Sequence, residues 1–272
     1  MSIIEVKNLT KKFKKFTAVD SISFNVEKGE IFGFLGPNGA GKSTTIRILT
    51  TLLTPTKGSA QIAGYDIKKD QDEIRTKIGL VAEKIILYNL LTARENLEFF
   101  GGLNNLSKDE INKRSEKWVD RLGMTNWMDS KVRGYSTGMK QRINIVRALL
   151  TEPEIIFLDE PTLGLDPQTT YLIRKFIEEL RAHGTTVILT THNMIEAEAL
   201  CDRLAVIDQG KIVAVGTTDE LKKQVPDKDN PTLEDVFLQL TGFDVRNEMI
   251  KAAPSSGGGH GPMRGGGQNR VR

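Results

Sequence analysis

Hydrophobic and polar positions along the chain predict two kinds of β-strand. Apolar and polar residues alternate over Ile3–Val6 and Ser21–Val26, which is typical of strands with one buried face. Runs rich in apolar and β-branched residues predict further strands at Glu30–Leu35, Ser59–Ile62, Ile78–Val81, Glu154–Leu158 and Thr186–Thr190. The last two runs flank a helical pattern at Gln168–Ala182, and this order favours a parallel β-α-β unit covered on both faces.

Helical patterns dominate the middle of the chain, between residues 93 and 150. We expect helices at Leu97–Gly102, Lys108–Leu122 and Gly138–Leu150, and others at Thr44–Leu53 and Thr232–Leu240. A hairpin is expected from Leu204–Asp208 and Lys211–Gly216, with its turn at Gln209-Gly210. Together these elements predict an α/β fold in which a helical insertion near 84–150 interrupts the sheet.

Composition narrows the class of protein. Apolar residues make up 39% and charged residues 27% of the 272 residues, which fits a globular chain. The net charge is +3, but three arginines and no acidic residue lie in Pro254–Arg272. The rest of the chain is therefore formally neutral, which argues against a large nucleic-acid surface. The glycine-rich segment Pro254–Arg272 favours a flexible tail. The single cysteine, Cys201, excludes an internal disulfide and fits a reducing compartment.

A glycine-rich segment after the strand Glu30–Leu35 carries the first candidate chemistry. Residues 36–43 read Gly-Pro-Asn-Gly-Ala-Gly-Lys-Ser and match the phosphate-binding pattern G-x-x-x-x-G-K-[ST], the P-loop. Glycines let backbone N–H groups surround phosphate oxygens, and the following helix adds the positive end of its dipole. We expect Lys42 to reach the β- and γ-phosphates, Ser43 to bind Mg²⁺ and Thr44 to contact the α-phosphate. The other cradle residues are Asn38, Gly39, Ala40 and Gly41.

Acidic residues at the end of a later buried strand supply the second half of a nucleotide site. Asp159 and Glu160 follow that strand, and we expect Asp159 to hold Mg²⁺ and Glu160 to orient or deprotonate the attacking water. His192 follows the next buried strand and is a candidate sensor of the γ-phosphate. Because a P-loop precedes them, we interpret Asp159 and Glu160 as functional residues rather than as a helix cap and a surface charge. A lone histidine such as His192 is more often a structural or surface residue when judged by spacing alone.

A further set of motifs determines which family of P-loop proteins the chain resembles. Tyr135-Ser-Thr-Gly-Met139 precedes the acidic strand and resembles the Leu-Ser-Gly-Gly-Gln signature of ATP-binding cassette (ABC) proteins. The other matches are Leu163–Asp166 with the family's D-loop, Ile78–Glu83 with its Q-loop, Phe13 with its adenine-stacking position and His192 with its H-loop. These matches follow the family order between residues 3 and 217.

The resemblance implies a fold and an assembly. The implied fold is an α/β P-loop NTPase core, made of a mostly parallel sheet and an N-terminal antiparallel β part, with an inserted α-helical subdomain. The domain would span residues 1–245, and a tail would span residues 246–272. Two copies of the chain would sandwich two ATP·Mg²⁺, with the P-loop of one facing the signature of the other. Ser136 and the backbone at Gly138 then form a second anion site at a helix N-terminus, with the D-loop Asp166 among the nucleotide-binding residues. We expect a homodimer that ATP closes and hydrolysis opens.

Several residues depart from the family pattern. Tyr135, Thr137 and Met139 give the signature a form similar to that of the branch that includes daunorubicin-type drug exporters. The ending Pro231–Gly242 resembles the same branch. Glu83 replaces the usual Gln of the Q-loop, and it still offers an oxygen to Mg²⁺ or to the attacking water, with an added negative charge.

Two positions keep alternatives open. Phe16 lies close enough to Phe13 to compete for stacking on adenine, and either ring could instead belong to the core. The apolar run at 85–91 suits either a partner groove or internal packing.

The resemblance implies the ATPase subunit of a membrane exporter that drives a separate integral-membrane permease. The expected docking surface is the helical lobe near Glu83, especially Lys84–Glu95, with Arg133 beside the signature. The longest run without Asp, Glu, Lys or Arg, Ala182–Ile195, is too short to span a membrane, so we expect a cytoplasmic protein on the inner face of the cell membrane. The alternatives are a non-transport ABC ATPase acting on ribosome or nucleic acid, and a nucleotide-gated module without turnover.

Overall fold

The computed structural model describes residues 1–225, 228 and 230–242, and within them the chain forms two sheets flanked by helices. The strands are β1 (Ser2–Phe13), β2 (Phe16–Glu27), β3 (Ile31–Leu35), β4 (Lys57–Ile62), β5 (Tyr65–Asp66), β6 (Ile78–Val81), β7 (Ile155–Asp159), β8 (Thr186–Thr191), β9 (Arg203–Asp208) and β10 (Lys211–Gly216). The helices are α1 (Lys42–Leu49), α2 (Gln71–Lys77), α3 (Ala93–Leu103), α4 (Lys108–Arg121), α5 (Thr137–Leu149), α6 (Pro167–Ala182), α7 (Met194–Leu200), α8 (Thr218–Lys222) and α9 (Leu233–Thr241). The predicted tail 246–272 lies outside the described residues.

The larger sheet has the strand order β10-β9-β3-β8-β7-β6. All neighbours from β9 to β6 pair in parallel, and β10 adds an antiparallel edge. Every residue of β3, β7 and β8 is buried, which confirms the prediction of strands covered on both faces for β7 and β8. Because parallel strands end at the same edge, the residues that follow β3, β7 and β8 are brought together there.

The smaller sheet is antiparallel, with the order β2-β1-β4-β5. Its inner face, helix α1 and one face of the parallel sheet share a single hydrophobic core. Alternate residues of β7 face two different hydrophobic clusters: Ile155 and Phe157 pack on this side, and Ile156 and Leu158 on the other. This arrangement agrees with the α/β P-loop architecture that the resemblance implied.

Helices α3, α4 and α5, with short 3-10 turns at Thr125–Trp127 and Val132–Gly134, fill the chain between β6 and β7. They pack with α6 against the face of β7 that carries Ile156 and Leu158. Helices α3 and α4 each begin with a capping box, in which a Thr or Ser hydroxyl and a Glu carboxylate satisfy the first free N–H groups. The helical insertion expected near 84–150 is therefore present as a packed layer.

Some predicted boundaries were wrong. The helix expected at Thr44–Leu53 begins two residues earlier, at Lys42, and ends at Leu49, because Thr51 adopts a left-handed backbone with φ 60°. Helices α2, α7 and α8 were not predicted, since each is too short to display a clear hydrophobic period.

The last described helix, α9, closes the C-terminal side of the molecule. Leu233, Val236 and Phe237 are buried in a third cluster together with Leu35 and Leu221, as the amphipathic pattern predicted. Gly242 ends the helix in a left-handed conformation with φ 61°. Across the described residues, no helix combines the length and apolar character that a membrane crossing requires.

Candidate nucleotide site

The P-loop lies between β3 and α1, and its glycines are required by close backbone approaches. A Cβ on Gly36 would come within 2.2 Å of the Ile207 carbonyl oxygen, and one on Gly41 within 2.5 Å of the Ala18 carbonyl oxygen. Gly39 and Gly41 have φ values of 83° and 110°, which residues with a side chain rarely adopt. These close approaches and backbone angles restrict the loop to one conformation. The loop ends at the N-terminus of α1.

Lys42 places a buried positive charge in this loop. Its side chain is 5% exposed, and its ammonium donates a hydrogen bond to the Gly36 carbonyl oxygen at 2.7 Å. The same ammonium lies 3.2 Å from Oε1 of Glu160, whose side chain is 8% exposed. The two charges thus share one desolvated site, where attraction between them is stronger than at the surface.

Asp159 and Ser43 meet at the end of β7. The Ser43 hydroxyl donates to Oδ1 of Asp159 at 2.9 Å, and the Thr190 hydroxyl donates to the same oxygen at 2.6 Å. Thr190 is fully buried at the end of β8 and also accepts a hydrogen bond from the Glu160 backbone N–H at 3.0 Å. A threonine from the neighbouring strand therefore fixes both acidic residues.

Glu160 stands at a sharp turn in the chain. Its φ is 50°, a left-handed conformation that costs a residue with a side chain about 1–2 kcal/mol. Its Oε2 lies 2.9 Å from Nδ1 of His192, which reaches it from the loop after β8. The other carboxylate oxygen, Oε1, is buried and has no hydrogen-bond donor, only the ion pair with Lys42. Glu160, His192 and Lys42, which are far apart in sequence, thus form one cluster.

A cavity opens above this cluster. Eight residues predicted for nucleotide, metal or catalysis line it: Asn38, Gly39, Gly41, Lys42, Ser43, Thr44, Glu83 and Glu160. Ala40 is buried behind the loop, where its carbonyl oxygen accepts a hydrogen bond from the Gly210 N–H. Glu83 is exposed at the rim of the cavity, so the Q-loop substitution places a carboxylate beside the P-loop.

The aromatic residue at the cavity is not the one that the resemblance assigned. Phe16, 62% exposed, lines the cavity together with Ala18, whereas Phe13 does not. The reason is that β2, which carries Phe16 and Ala18, contacts the P-loop at Gly41. Phe13 ends β1, and its ring lies 5.1 Å from the Lys11 ammonium.

The signature residues lie outside the cavity lining. Ser136 is exposed and caps α5, where its hydroxyl accepts the Met139 N–H at 3.2 Å. Gly138 is buried against Thr169, and a Cβ there would be 2.9 Å from a Thr169 methyl group. Tyr135 is buried, and its hydroxyl donates to the Trp127 carbonyl oxygen, which explains how a tyrosine fits where the family has leucine. Burial raises the pKa of this hydroxyl.

Asp166 connects the D-loop to the signature within the chain. It caps α6 and accepts hydrogen bonds from the backbone N–H of Thr169 at 2.9 Å and from the Thr169 hydroxyl at 2.7 Å. These bonds to the charged form lower the pKa of the Asp166 carboxyl. Since Thr169 also contacts Gly138, one side chain touches both motifs.

Sequence reasoning missed two residues that organise the site. Thr190 bridges the acidic residues, and Thr162 donates to the buried carboxylate of Glu196 at 2.6 Å. The available signal for Thr190 was a polar residue at the end of a buried strand beside the acidic strand. No sequence pattern joins Thr162 to Glu196, because 34 positions separate them.

Comparison with known proteins gives consistent results. The model of the ABC transporter family matches residues 19–163. The linearmycin resistance ATP-binding protein LnrL of Bacillus subtilis is 40% identical over 253 residues, which is 93% of this chain and 79% of the relative. The daunorubicin/doxorubicin resistance ATP-binding protein DrrA of Streptomyces peucetius is 40% identical over 222 residues, covering 82% of this chain and 67% of the relative. A solved dimeric ATP-binding cassette with ADP and Pi bound, in a post-hydrolysis state, is 31% identical and aligns with a TM-score of 0.72 over 79% of this chain and 98% of its own.

Proposed function

This chain belongs to the ABC transporter family as an ATP-binding, ATP-hydrolysing subunit, and from that premise we propose that it drives the export of a small hydrophobic molecule or lipid through a separate permease. Proteins of this family act as dimers with a membrane permease partner. Support for export comes from the relatives, whose names concern resistance to linearmycin and daunorubicin. Support for turnover comes from one observation, the contact of Glu160 with both His192 and Lys42 beside the P-loop.

In this proposal Glu160 is the general base for ATP hydrolysis. Water attacks the γ-phosphorus, the bond between that phosphorus and the β–γ bridging oxygen breaks, and the proton of the water passes to Glu160. His192 holds the carboxylate in place through its contact with Oε2, and in this proposal it also senses the γ-phosphate. Lys42 exchanges its contact with Glu160 for the β- and γ-phosphate oxygens, which frees Glu160 for the water.

Ser43 and Asp159 fit a Mg²⁺ ion that accompanies ATP. Two oxygen donors, a hydroxyl and a carboxylate, already lie 2.9 Å apart beside the phosphate loop, and Mg²⁺ prefers this kind of donor together with phosphate oxygens and water. When bound, the ion neutralises negative charge on the phosphates. Glu83 lines the same cavity, and we propose that its carboxylate binds Mg²⁺ either directly or through a water molecule.

We propose that Phe16 stacks on the adenine, since its ring lines the cavity and is largely exposed. Replacement of Phe16 by Ala should weaken ATP binding about fivefold or more, because stacking on a base contributes about 1–3 kcal/mol. Phe13→Ala is the matched control and should change binding less than Phe16→Ala. ATP affinity measured by titration calorimetry decides between the two rings, and a larger loss in Phe13→Ala would return the role to Phe13.

The dimer interface in this proposal pairs the P-loop of one copy with Ser136 and Gly138 of the other. The exposed Ser136 hydroxyl and the free N–H groups at the start of α5 suit a γ-phosphate, and no acidic residue lies in the first turn to repel it. Asp166 lies next to this surface, in contact with the Thr169 that packs on Gly138.

The proposed permease surface is the segment Lys84–Glu95 with the adjoining face of α3. Ile86, Tyr88 and Leu90 are 56%, 49% and 71% exposed, so half of the apolar run faces outward. Ile85, Leu87 and Leu91 are partly buried, which supports internal packing for these three residues. An exposed apolar patch of this kind favours a protein partner, and its permease would place the subunit at the cytoplasmic face of a membrane.

The test of the proposed function is the Glu160→Gln variant. We expect loss of turnover by about a hundredfold or more, and a dimer that persists with ATP·Mg²⁺ and is detected by light scattering. Glu178→Gln is the matched control, because Glu178 lies on α6 in a surface ion pair with Lys175. Full phosphate release by Glu160→Gln would remove Glu160 from the role of general base.

A further inference from the structure

Glu196 is a buried acidic residue that the proposed reaction does not use. Its side chain is 1% exposed, although it lies on α7 only four residues after His192. Its Oε1 accepts a hydrogen bond from the Thr162 hydroxyl at 2.6 Å and one from Arg174 Nε at 3.5 Å. A carboxylate buried this deeply persists only with such partners.

The partners of Glu196 come from the turn after Glu160 and from helix α6. Thr162 lies two residues after Glu160, and Arg174 lies on α6, the helix that Asp166 caps. Residues 160–162 and 192–196 are therefore joined at both ends. One connection is the 2.9 Å contact between Glu160 Oε2 and His192 Nδ1, and the other is the 2.6 Å bond between Thr162 and Glu196.

The loop between Glu160 and the D-loop is also held from the helical layer. Gln141, on the signature helix α5, donates a hydrogen bond from Nε2 to the Pro161 carbonyl oxygen at 2.9 Å. Pro161 and Thr162 are consecutive, so bonds to two different helices, α5 and α7, fix the orientation of this turn. The turn needs such fixing, because Glu160 adopts a left-handed backbone that is unfavourable for a residue with a side chain.

We propose that Glu196 is a positioning residue for ATP hydrolysis, which acts through Thr162 to hold the turn that carries Glu160. The inference rests on the proposed role of Glu160 as general base. Without the Thr162–Glu196 bond, the Glu160 backbone relaxes from its left-handed conformation and the carboxylate leaves the geometry set by His192. Nucleotide binding is unaffected, because neither Thr162 nor Glu196 lines the cavity.

Thr162→Val tests this with the smallest change in shape, since valine replaces the hydroxyl by a methyl group. We expect kcat for ATP hydrolysis to fall about tenfold or more, with KM for ATP within about twofold of the wild-type value. Thr162→Ser keeps the donor and should recover most of the lost rate. Glu196→Gln, which keeps an acceptor oxygen but removes the charge, should give an intermediate kcat.

A second measurement reports on position without turnover. Hydrogen–deuterium exchange of the full chain with ATP·Mg²⁺ should be faster in Thr162→Val at the backbone amides of residues 162–166 and 192–196, and unchanged in β3 and β8. Thr76→Val is the matched control, because the exposed Thr76 hydroxyl bonds only the Glu73 carbonyl oxygen on α2. It should leave kcat and exchange near the nucleotide unchanged.

The outcomes separate this inference from the proposed function. If Glu160→Gln loses turnover in single-turnover assays but Thr162→Val keeps wild-type kcat and exchange, the positioning role is wrong and the function stands. If Glu160→Gln keeps turnover, the assignment of the base fails first. A fall in melting temperature of Thr162→Val with unchanged kcat would show that the bond only stabilises the fold, and would also overturn the proposal.

Discussion

Replacement of Thr190 by valine should damage both stability and turnover, although Thr190 does not line the cavity. The two side chains have nearly the same shape, so the change removes a hydroxyl and little else. That hydroxyl donates to Asp159 Oδ1 at 2.6 Å and accepts the Glu160 N–H at 3.0 Å. Both bonds lie in a fully buried part of β8.

The expected loss follows from these two bonds. A hydrogen bond to a charged group contributes about 1.5–3 kcal/mol. The Glu160 N–H keeps a longer bond to the Thr190 carbonyl oxygen at 3.2 Å, so the second bond adds less. The total is about 2–4 kcal/mol, and for a domain of this size it should lower the melting temperature by about 5–15 °C.

Thr186 provides a matched control on the same strand. It is also fully buried, but its hydroxyl only accepts a neutral hydrogen bond from the Gly29 N–H at 2.9 Å. Thr186→Val should therefore cost about 1 kcal/mol and lower the melting temperature by about 2–4 °C, with kcat unchanged. Thermal unfolding and phosphate release measure both variants. Equal effects of the two substitutions, or wild-type turnover in Thr190→Val, would refute the assignment of Thr190 to Asp159 and Glu160.

Three further predictions concern other parts of the molecule. Gly138→Ala should reduce ATP-dependent dimerisation, measured by light scattering, because the added Cβ would collide with Thr169. Thr169→Ser removes the nearest methyl group, so the double variant should recover part of the lost dimerisation. Burial raises the pKa of the Cys201 thiol well above its usual value, and its side chain is only partly exposed, so alkylation at pH 8 should be slower in the native than in the unfolded protein, and equal labelling rates would contradict this. Hydrogen bonds, first from Lys228, lower the pKa of Asp235 to about 2, so the stability that Asp235 adds is complete above about pH 4 and is lost as pH falls towards 2. Asp235→Asn should remove this pH dependence in melts between pH 2 and 5, and an unchanged profile would contradict the lowered pKa.

The exposed part of the apolar run continues onto helix α3. Ile86, Tyr88 and Leu90 face outward beside Phe99, which is 42% exposed and packs edge-on against Tyr88 at 4.9 Å. A patch of this kind would be covered in a complex with the permease.

Much of the fold and the chemistry of the site could be predicted from the sequence, because both depend on local order. The P-loop needs glycines, a lysine and a serine at fixed spacing between a strand and a helix, and all of them lie within eight consecutive residues. Asp159 and Glu160 follow a run of four buried residues, and such a run is itself a strong strand pattern. The α/β class follows from the order of strand and helix patterns along the chain.

Only the tertiary structure decided which distant side chains meet. Strand order brings β8 beside β7, and this neighbour relation places Thr190 against Asp159 and His192 against Glu160. The path of β2 past Gly41 brings Phe16 rather than Phe13 to the cavity. The sequence offers both rings three residues apart, and the hydrophobic period does not distinguish a ring at a cavity rim from one at a hairpin turn. Contacts between residues that are distant in sequence depend on how the layers pack, whereas the patterns along a chain encode only the period and ends of each element.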